Sequence, residues 1–242
     1  MKKFEVNFPY FLEYPVKVVV KKIGLLGLAG WVLQKFGKKL IKKENIAITE
    51  RIVEIPAVYL WLGRFARAGD RILEIGHVNS SFSLELAALG YNVTAIDIRS
   101  YEFEHLNLKS IRGDFLKHNF AGQFDFVISV STIEHLGYNK RYGGQEEGGC
   151  DLDALALEKI SGLLKPAGKF ILTVPYAENE RTDTWFKTYT RRAIEGLLFK
   201  NFRVEERKYF YRTDNWWLPA EEKDDPAYPY DGVAMFLLSK KL

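Results

Sequence analysis

Four stretches that could do chemistry each follow a short apolar run: Glu74-Ile75-Gly76, Ile96-Asp97-Ile98, Gly113-Asp114, and Ser129-Val130-Ser131-Thr132-Ile133-Glu134-His135. An ionised carboxylate only accepts hydrogen bonds, and it can take two hydroxyl donors at once. Asp97, 21 residues beyond Gly76, stands at the distance from which a second-strand acid reaches a ribose diol. Asp114 can accept from an exocyclic amine such as that of adenine. Gly76 removes a side chain where backbone must approach a ligand. Glu134-His135 offers a different chemistry. An imidazole ordinarily titrates near neutrality and can take a proton from an acceptor group. Glu134 can orient that imidazole or bind an acceptor hydroxyl. The same pair also fits the acid-favoured start of a helix.

These residues need a scaffold that brings strand ends together. Pro56 is suited to the first position of a helix running to about Ala68. Arg71–Ile75 reads as a strand, Ser80–Leu89 as a helix ended by Gly90, and Asn92–Ile98 as a second strand. A third strand is expected around Leu108–Arg112 and a fourth at Phe124–Val130. Leu152–Leu164 is a periodic helix, and Lys169–Val174 a fifth strand. Thr190 caps a helix through about Phe199. Phe202–Phe210 and Gly232–Ser239 complete the set, with a loop-like connection from about Arg212 to Asp231. Alternation of strands and helices implies a parallel sheet covered on both faces. The last two strands lack a crossover helix and should pair antiparallel. In such a sheet ligands bind at the carboxyl ends of the strands, where the four stretches lie.

The runs Ile72-Leu73-Glu74-Ile75-Gly76, Val93-Thr94-Ala95-Ile96-Asp97, Gly113-Asp114 and Phe124-Asp125-Phe126-Val127-Ile128-Ser129, with the turn Leu163-Leu164-Lys165-Pro166-Ala167-Gly168-Lys169, resemble the class I S-adenosylmethionine-dependent methyltransferases over about residues 50–240. That resemblance implies an α/β, Rossmann-like seven-stranded sheet of order 3-2-1-4-5-7-6, the last strand antiparallel, with S-adenosyl-L-methionine as cofactor. It places Glu74 and Gly76 by the methionine portion, Asp97 and Ile98 on the ribose, and Gly113 and Asp114 near the adenine, with Asn79, Ser80, Ser129 and Val130 completing the cofactor contacts. His135 and Glu134 then stand where the methyl acceptor meets the cofactor. The Glu-His-x-Gly…Arg-Tyr-Gly stretch, here through Arg141-Tyr142-Gly143, also resembles a bacterial subgroup linked to surface sugars and polysaccharides. One extra residue separates Gly137 from Arg141 in this chain. Arg141, Tyr142, Tyr176 and Trp185 are the candidate acceptor contacts. Where the family's first loop reads Gly-x-Gly-x-Gly, this chain has Gly76-His77-Val78-Asn79-Ser80-Ser81, with one glycine. A dinucleotide pyrophosphate needs the later glycines; S-adenosylmethionine has no phosphates. Asn79, Ser80 and Ser81 can instead cap the following helix. No further His or carboxylate has ligand spacing, so no metal is expected.

The 242-residue composition, 47% hydrophobic and 27% charged, is that of an ordinary globular chain and excludes a disordered or fibrous one. One cysteine, Cys150, excludes an intrachain disulfide and fits a reducing, cytoplasmic setting. Residues 1–43 carry ten lysines and two acids, a net of +8, which leaves −4 on the rest of a chain of net +4. A nucleic-acid enzyme would need a basic body, so none is expected as partner. The longest apolar run, Ile23–Leu33, is 11 residues, against roughly 20 for a membrane span. Residues 1–50 therefore read as a basic helical appendage to a domain at 51–242. Either the appendage packs on that domain, or residues 16–43 make peripheral contact with an anionic membrane. The loop 137–149, with five glycines, suits a substrate lid. Late aromatics, among them Tyr189, Trp216, Trp217, Tyr228 and Tyr230, with Asp214, Asp224 and Asp225, suit a sugar ring or ordinary packing. The expected activity is methyl transfer, at oxygen, to a small-molecule or glycan-type acceptor. The alternative is a non-catalytic scaffold or binding protein of the same fold at a membrane surface.

Overall fold

The computed structural model describes residues 49–78, 80–138, 152–182, 186–213, 216–220 and 232–241. The expected basic appendage, apart from its last two residues, lies outside them.

Among the described residues ten strands and four helices follow one another: α1 (Arg51–Phe65), β1 (Arg71–Ile75), α2 (Phe82–Ala88), β2 (Asn92–Asp97), β3 (Leu108–Arg112), β4 (Phe124–Val130), a 3-10 turn (Ile133–His135), α3 (Leu152–Leu163), β5 (Leu164–Tyr176), β6 (Arg181–Thr182), β7 (Lys187–Thr188), α4 (Arg191–Asn201), β8 (Phe202–Arg212), β9 (Trp217–Ala220) and β10 (Gly232–Lys240). Eight of the strands form one sheet in the order β3-β2-β1-β4-β5-β10-β8-β9, and β6 and β7 pair separately. β1 to β5 are parallel, and β10 runs antiparallel to both β5 and β8. The seven-stranded order implied by the resemblance is present, with one strand more at its edge.

That extra strand corrects the expected loop after Arg212. Trp217–Ala220 pairs antiparallel with Tyr209–Arg212. A Pro at 219 argues against a strand in a sheet interior, but an edge strand has one unpaired side and tolerates it. α1 also begins earlier than expected, with Pro56 in its sixth position rather than its first. Proline there removes one helical hydrogen bond. The buried stripe Glu54, Ala57, Val58, Trp61 and Leu62 holds the helix against the sheet regardless. β5 likewise starts at Leu164, because Leu164 pairs with Phe124 while Lys169 pairs with Phe126. The Lys165–Gly168 turn is thus a bulge inside the strand, where proline's missing N–H is not needed.

Burial alternates along the strands with period two. Ile72, Val93, Phe126 and Ile171 pack under α1 and α2, while Leu73, Ile96, Val127 and Leu172 pack under α3 and α4. This double covering leaves the carboxyl ends of the parallel strands as the open rim.

Candidate active site

A cleft of about 440 Å³ opens at that rim, lined on one side by Ile75, Gly76, Asp97, Ile98, Gly113, Asp114 and Phe115. Its size suits a small-molecule ligand. Gly76 has φ +82°, and a Cβ there would overlap the Thr132 side chain from the loop after β4. The glycine therefore meets two demands at once: a left-handed backbone and close approach of two strand ends.

Asp97, at the end of β2, is held by four donors. Arg99 donates its backbone N–H and Nε to Oδ1 (2.9 Å each) and Nη2 to Oδ2 (2.8 Å), and the Val78 N–H reaches Oδ2 at 3.2 Å. Burial alone would raise the Asp97 pKa, but these donors outweigh it and hold the carboxyl below its ordinary range. Asp114 accepts from the Leu116 N–H at 2.8 Å and lies 3.6 Å from Lys117 Nζ.

The one-glycine loop has its own packing. The His77 ring is fully buried, 3.0 Å from Ser110 Oγ, and meets Tyr101 edge-on with centroids 4.7 Å apart. Burial lowers its pKa, which favours the neutral ring. Ser80 lies away from the cleft wall; its Oγ accepts from the Phe82 N–H at 3.4 Å and its carbonyl accepts from Tyr101. Ser81, the N-cap residue, makes no side-chain capping bond and donates instead to Glu85 at 2.5 Å. The expected capping by this loop is thus reduced to the long Ser80 contact. Asn79 lies outside the described residues.

Glu74 is buried beneath the cleft rather than in its wall, and accepts from Ser83 Oγ of α2. Burial pushes its pKa up to about 7 against the Ser83 bond, which lowers it. Ser129 and Val130 are buried behind the rim. Tyr176 is buried as well, its ring 5.1 Å from that of Tyr209. Arg141, Tyr142 and Trp185 fall outside the described residues, as do the remainder of the glycine-rich loop after Tyr138, Tyr228, Tyr230, Asp214, Asp224 and Asp225.

The other side of the cleft is formed by Glu50, Arg51, Ser131, Thr132, Glu134, His135, Phe186, Arg212 and Trp217, among others. Ser131 adopts φ +42°, a conformation uncommon outside glycine. It is held there by its N–H to Thr173 Oγ1 (2.9 Å) and by its Oγ to Glu54 Oε1 (2.6 Å). Glu54 also accepts from Thr173 Oγ1 at 2.5 Å, and its Oε2 lies 3.3 Å from Arg51. Strain of this kind persists only where surroundings over-determine it, and it concentrates at functional loops. Glu134 is 2% exposed, and His135 Nε2 lies 3.9 Å from its Oε1. Burial raises both carboxyls, Glu134 well above the ordinary range, and the Glu54 charge adds to the rise at Glu134.

Among the contributors to this cleft that sequence reasoning missed are Arg99, Arg51 and Phe186. Arg51 and Glu54 had a readable sign. Glu54 sits on the same helical stripe as Ala57, Val58 and Trp61, and an acid on an apolar stripe needs a buried partner. Arg99 is separated from Asp97 by a single residue, a local pattern that also could have been weighed.

Residues 73–172 match the family model described as a methyltransferase domain. That stretch is similar to a methyltransferase domain, and the fold around it is that of solved methyltransferases. The chain shares its fold with the Burkholderia thailandensis 1,6-didemethyltoxoflavin-N1-methyltransferase, solved with 1,6-didemethyltoxoflavin and S-adenosylhomocysteine (TM-score 0.58, 13% identity, 98% of this chain and 93% of that one). It also resembles the N-methyltransferase NodS of Bradyrhizobium japonicum bound to S-adenosylhomocysteine (TM-score 0.54, 13% identity, 87% and 99%). An uncharacterised protein of Mycobacterium tuberculosis is 25% identical over 170 residues, 61% of this chain and 52% of its own length. The chain thus spans about half the length of the curated relatives it matches.

The cleft suits that cofactor on its own chemistry. Gly76 clears one wall, the Asp97 carboxylate suits a diol, Asp114 suits an amine, and Ile75, Ile98 and Phe115 supply apolar contact. Among the described residues no group of three His, Cys, Asp or Glu side chains could hold a metal ion, and no helix is long and apolar enough to cross a membrane.

Proposed function

We propose that the chain is a methyltransferase that modifies a small polar acceptor at a hydroxyl, of a glycan type, at the His135 end of the cleft. The observation that carries the reading is the shared cleft. Gly76, Asp97 and Asp114 line it together with Glu134 and His135.

When bound, S-adenosylmethionine supplies an activated methyl group on a sulfonium centre. The protein's part is to align the acceptor with that methyl and to take the acceptor proton. Gly76 leaves room for the methionine portion, Asp97 accepts from the ribose hydroxyls, and Asp114 accepts from the adenine amine. His135 takes the hydroxyl proton, and Phe186 and Trp217 offer apolar faces to a ring. Peripheral membrane contact through residues 16–43 belongs to the same reading; it rests on the +8 segment.

Calorimetric titration with S-adenosylmethionine and S-adenosylhomocysteine, beside Asp97→Ala, tests the reading. Saturable binding lost in the variant supports it. Absence of binding in a folded sample would leave the non-catalytic scaffold in its place.

A further inference from the structure

Glu134 lines the cleft at 2% exposure, and its Oε2 has no hydrogen-bond partner among the described residues. A buried carboxyl oxygen left without a partner is costly, and native structures rarely keep one without reason. The nearby charges are already engaged. Arg51 lies 3.3 Å from Glu54 Oε2 and donates to the Val130 carbonyl at 3.0 Å. Lys187 and the Tyr189 hydroxyl are both directed at Asp153, at 3.2 and 3.0 Å. His135 Nε2, at 3.9 Å from Glu134 Oε1, is beyond hydrogen-bond range.

Two buried carboxyls, Glu54 and Glu134, thus stand at the acceptor end; Arg51 lies against the first, and Arg212 also lines the cleft. Phe186 and Trp217 line the same cleft, Phe186 with its ring 6.2 Å from that of His135, and aromatic faces attract cations. We propose that the acceptor carries an ammonium group that enters the cleft and seats on Glu134, with Phe186 and Trp217 beside it. This rests on the methyltransferase reading and adds the charge class of the substrate: a hydroxylated amine of the amino-sugar type, not a neutral sugar.

A neutral hydroxyl would bring one donor and no charge, whereas an ammonium brings three donors and a positive charge. The groups acting on Glu134 are Glu50, Arg51 and Glu54, with His135 and Tyr189 alongside. Burial first, then the Glu54 charge, favours the protonated form of Glu134; its own backbone N–H and Arg51 oppose this. An ammonium entering the cleft ionises the carboxyl, and the displaced proton passes to the buffer. No covalent bond other than that O–H changes.

The test is calorimetric titration of the full-length protein, loaded with S-adenosylhomocysteine, with glucosamine, glucose and N-acetylglucosamine. Each titration is run in two buffers of different ionisation enthalpy, at a slightly acidic pH that keeps the amine charged. Glucosamine should bind at least about tenfold tighter than either neutral sugar, since charge-assisted hydrogen bonds are the stronger kind. Its heat alone should change with the buffer, reporting proton release. Glu134→Gln should abolish both the preference and the buffer dependence while retaining S-adenosylhomocysteine affinity, which also shows that the variant is folded. Glucosamine binding that is absent, or no tighter than glucose, overturns the proposal, as does a preference that survives in Glu134→Gln. The wild-type comparison decides without any variant. Failure of the wild-type protein to bind S-adenosylhomocysteine would instead overturn the methyltransferase reading beneath it.

Discussion

Arg99 grips both carboxylate oxygens of Asp97, with Nε 2.9 Å from Oδ1 and Nη2 2.8 Å from Oδ2. With the backbone N–H groups of Arg99 and Val78, these bonds occupy the roughly four acceptor positions a carboxylate has. A ribose diol must therefore displace the guanidinium. Arg99→Ala should tighten S-adenosylhomocysteine binding by up to about tenfold, because a charge-assisted pair no longer has to break. Asp97→Ala should abolish binding. Calorimetry on the two variants checks both, and weaker binding by Arg99→Ala would show that Arg99 holds the ligand directly.

Glu74 gives the protein a pH dependence whose sign follows from burial. Its folded pKa is about 7 against an ordinary 4.5, so the folded state keeps a proton that the unfolded state releases. The protonated carboxyl's contribution is fully present below about pH 4.5 and fades as pH rises through 7. The loss amounts to about 3 kcal/mol above pH 7, at 1.36 kcal/mol per pKa unit. Glu74→Gln keeps an oxygen to accept from Ser83 and removes the titration. The variant should match wild type in urea unfolding near pH 4.5 and exceed it by about that amount at pH 8.

Strand ends were legible because short apolar runs ended in chemistry-bearing residues. β4 was read to the residue, and the Thr190 cap is present, with Oγ1 accepting from the Ala193 N–H at 3.2 Å. The start of α1 was not legible, because a proline reads as a helix start unless tertiary packing holds residues before it. β9 was hidden by its length of four residues and its proline. The acceptor end was only half legible. Glu134 and His135 are adjacent in sequence, but Glu54 and Ser131 meet across 77 positions. No local pattern reports a contact of that separation.

Gly76→Ala should be damaging for two separable reasons. Positive φ costs a residue with a Cβ about 1–2 kcal/mol, and overlap with Thr132 adds about 1–3 kcal/mol. Thr132→Gly in the Gly76→Ala background removes the overlap but not the backbone cost. Chemical denaturation should therefore show partial recovery in the double variant. Full recovery would mean that the φ of +82° carries no cost, and none would mean that Thr132 gives way freely.

His135 is the residue on which the chemical step depends in this reading. It stands on the 3-10 turn after β4, in the wall of the same cleft as Gly76 and Asp97. A positioned general base contributes typically about 10²–10⁴-fold. His135→Ala should therefore lower kcat by about that factor with any acceptor the enzyme turns over. Its S-adenosylhomocysteine affinity should stay within about twofold, since the imidazole acts on the acceptor and not on the ribose or adenine. A His135 that merely packs the turn would instead lower stability and cofactor affinity together. Parallel measurement of kcat, KM and S-adenosylhomocysteine binding separates the two. Unchanged kcat would move proton removal elsewhere in the cleft, and Glu134, whose Oε2 is the unpartnered acceptor nearby, would be the next group to substitute.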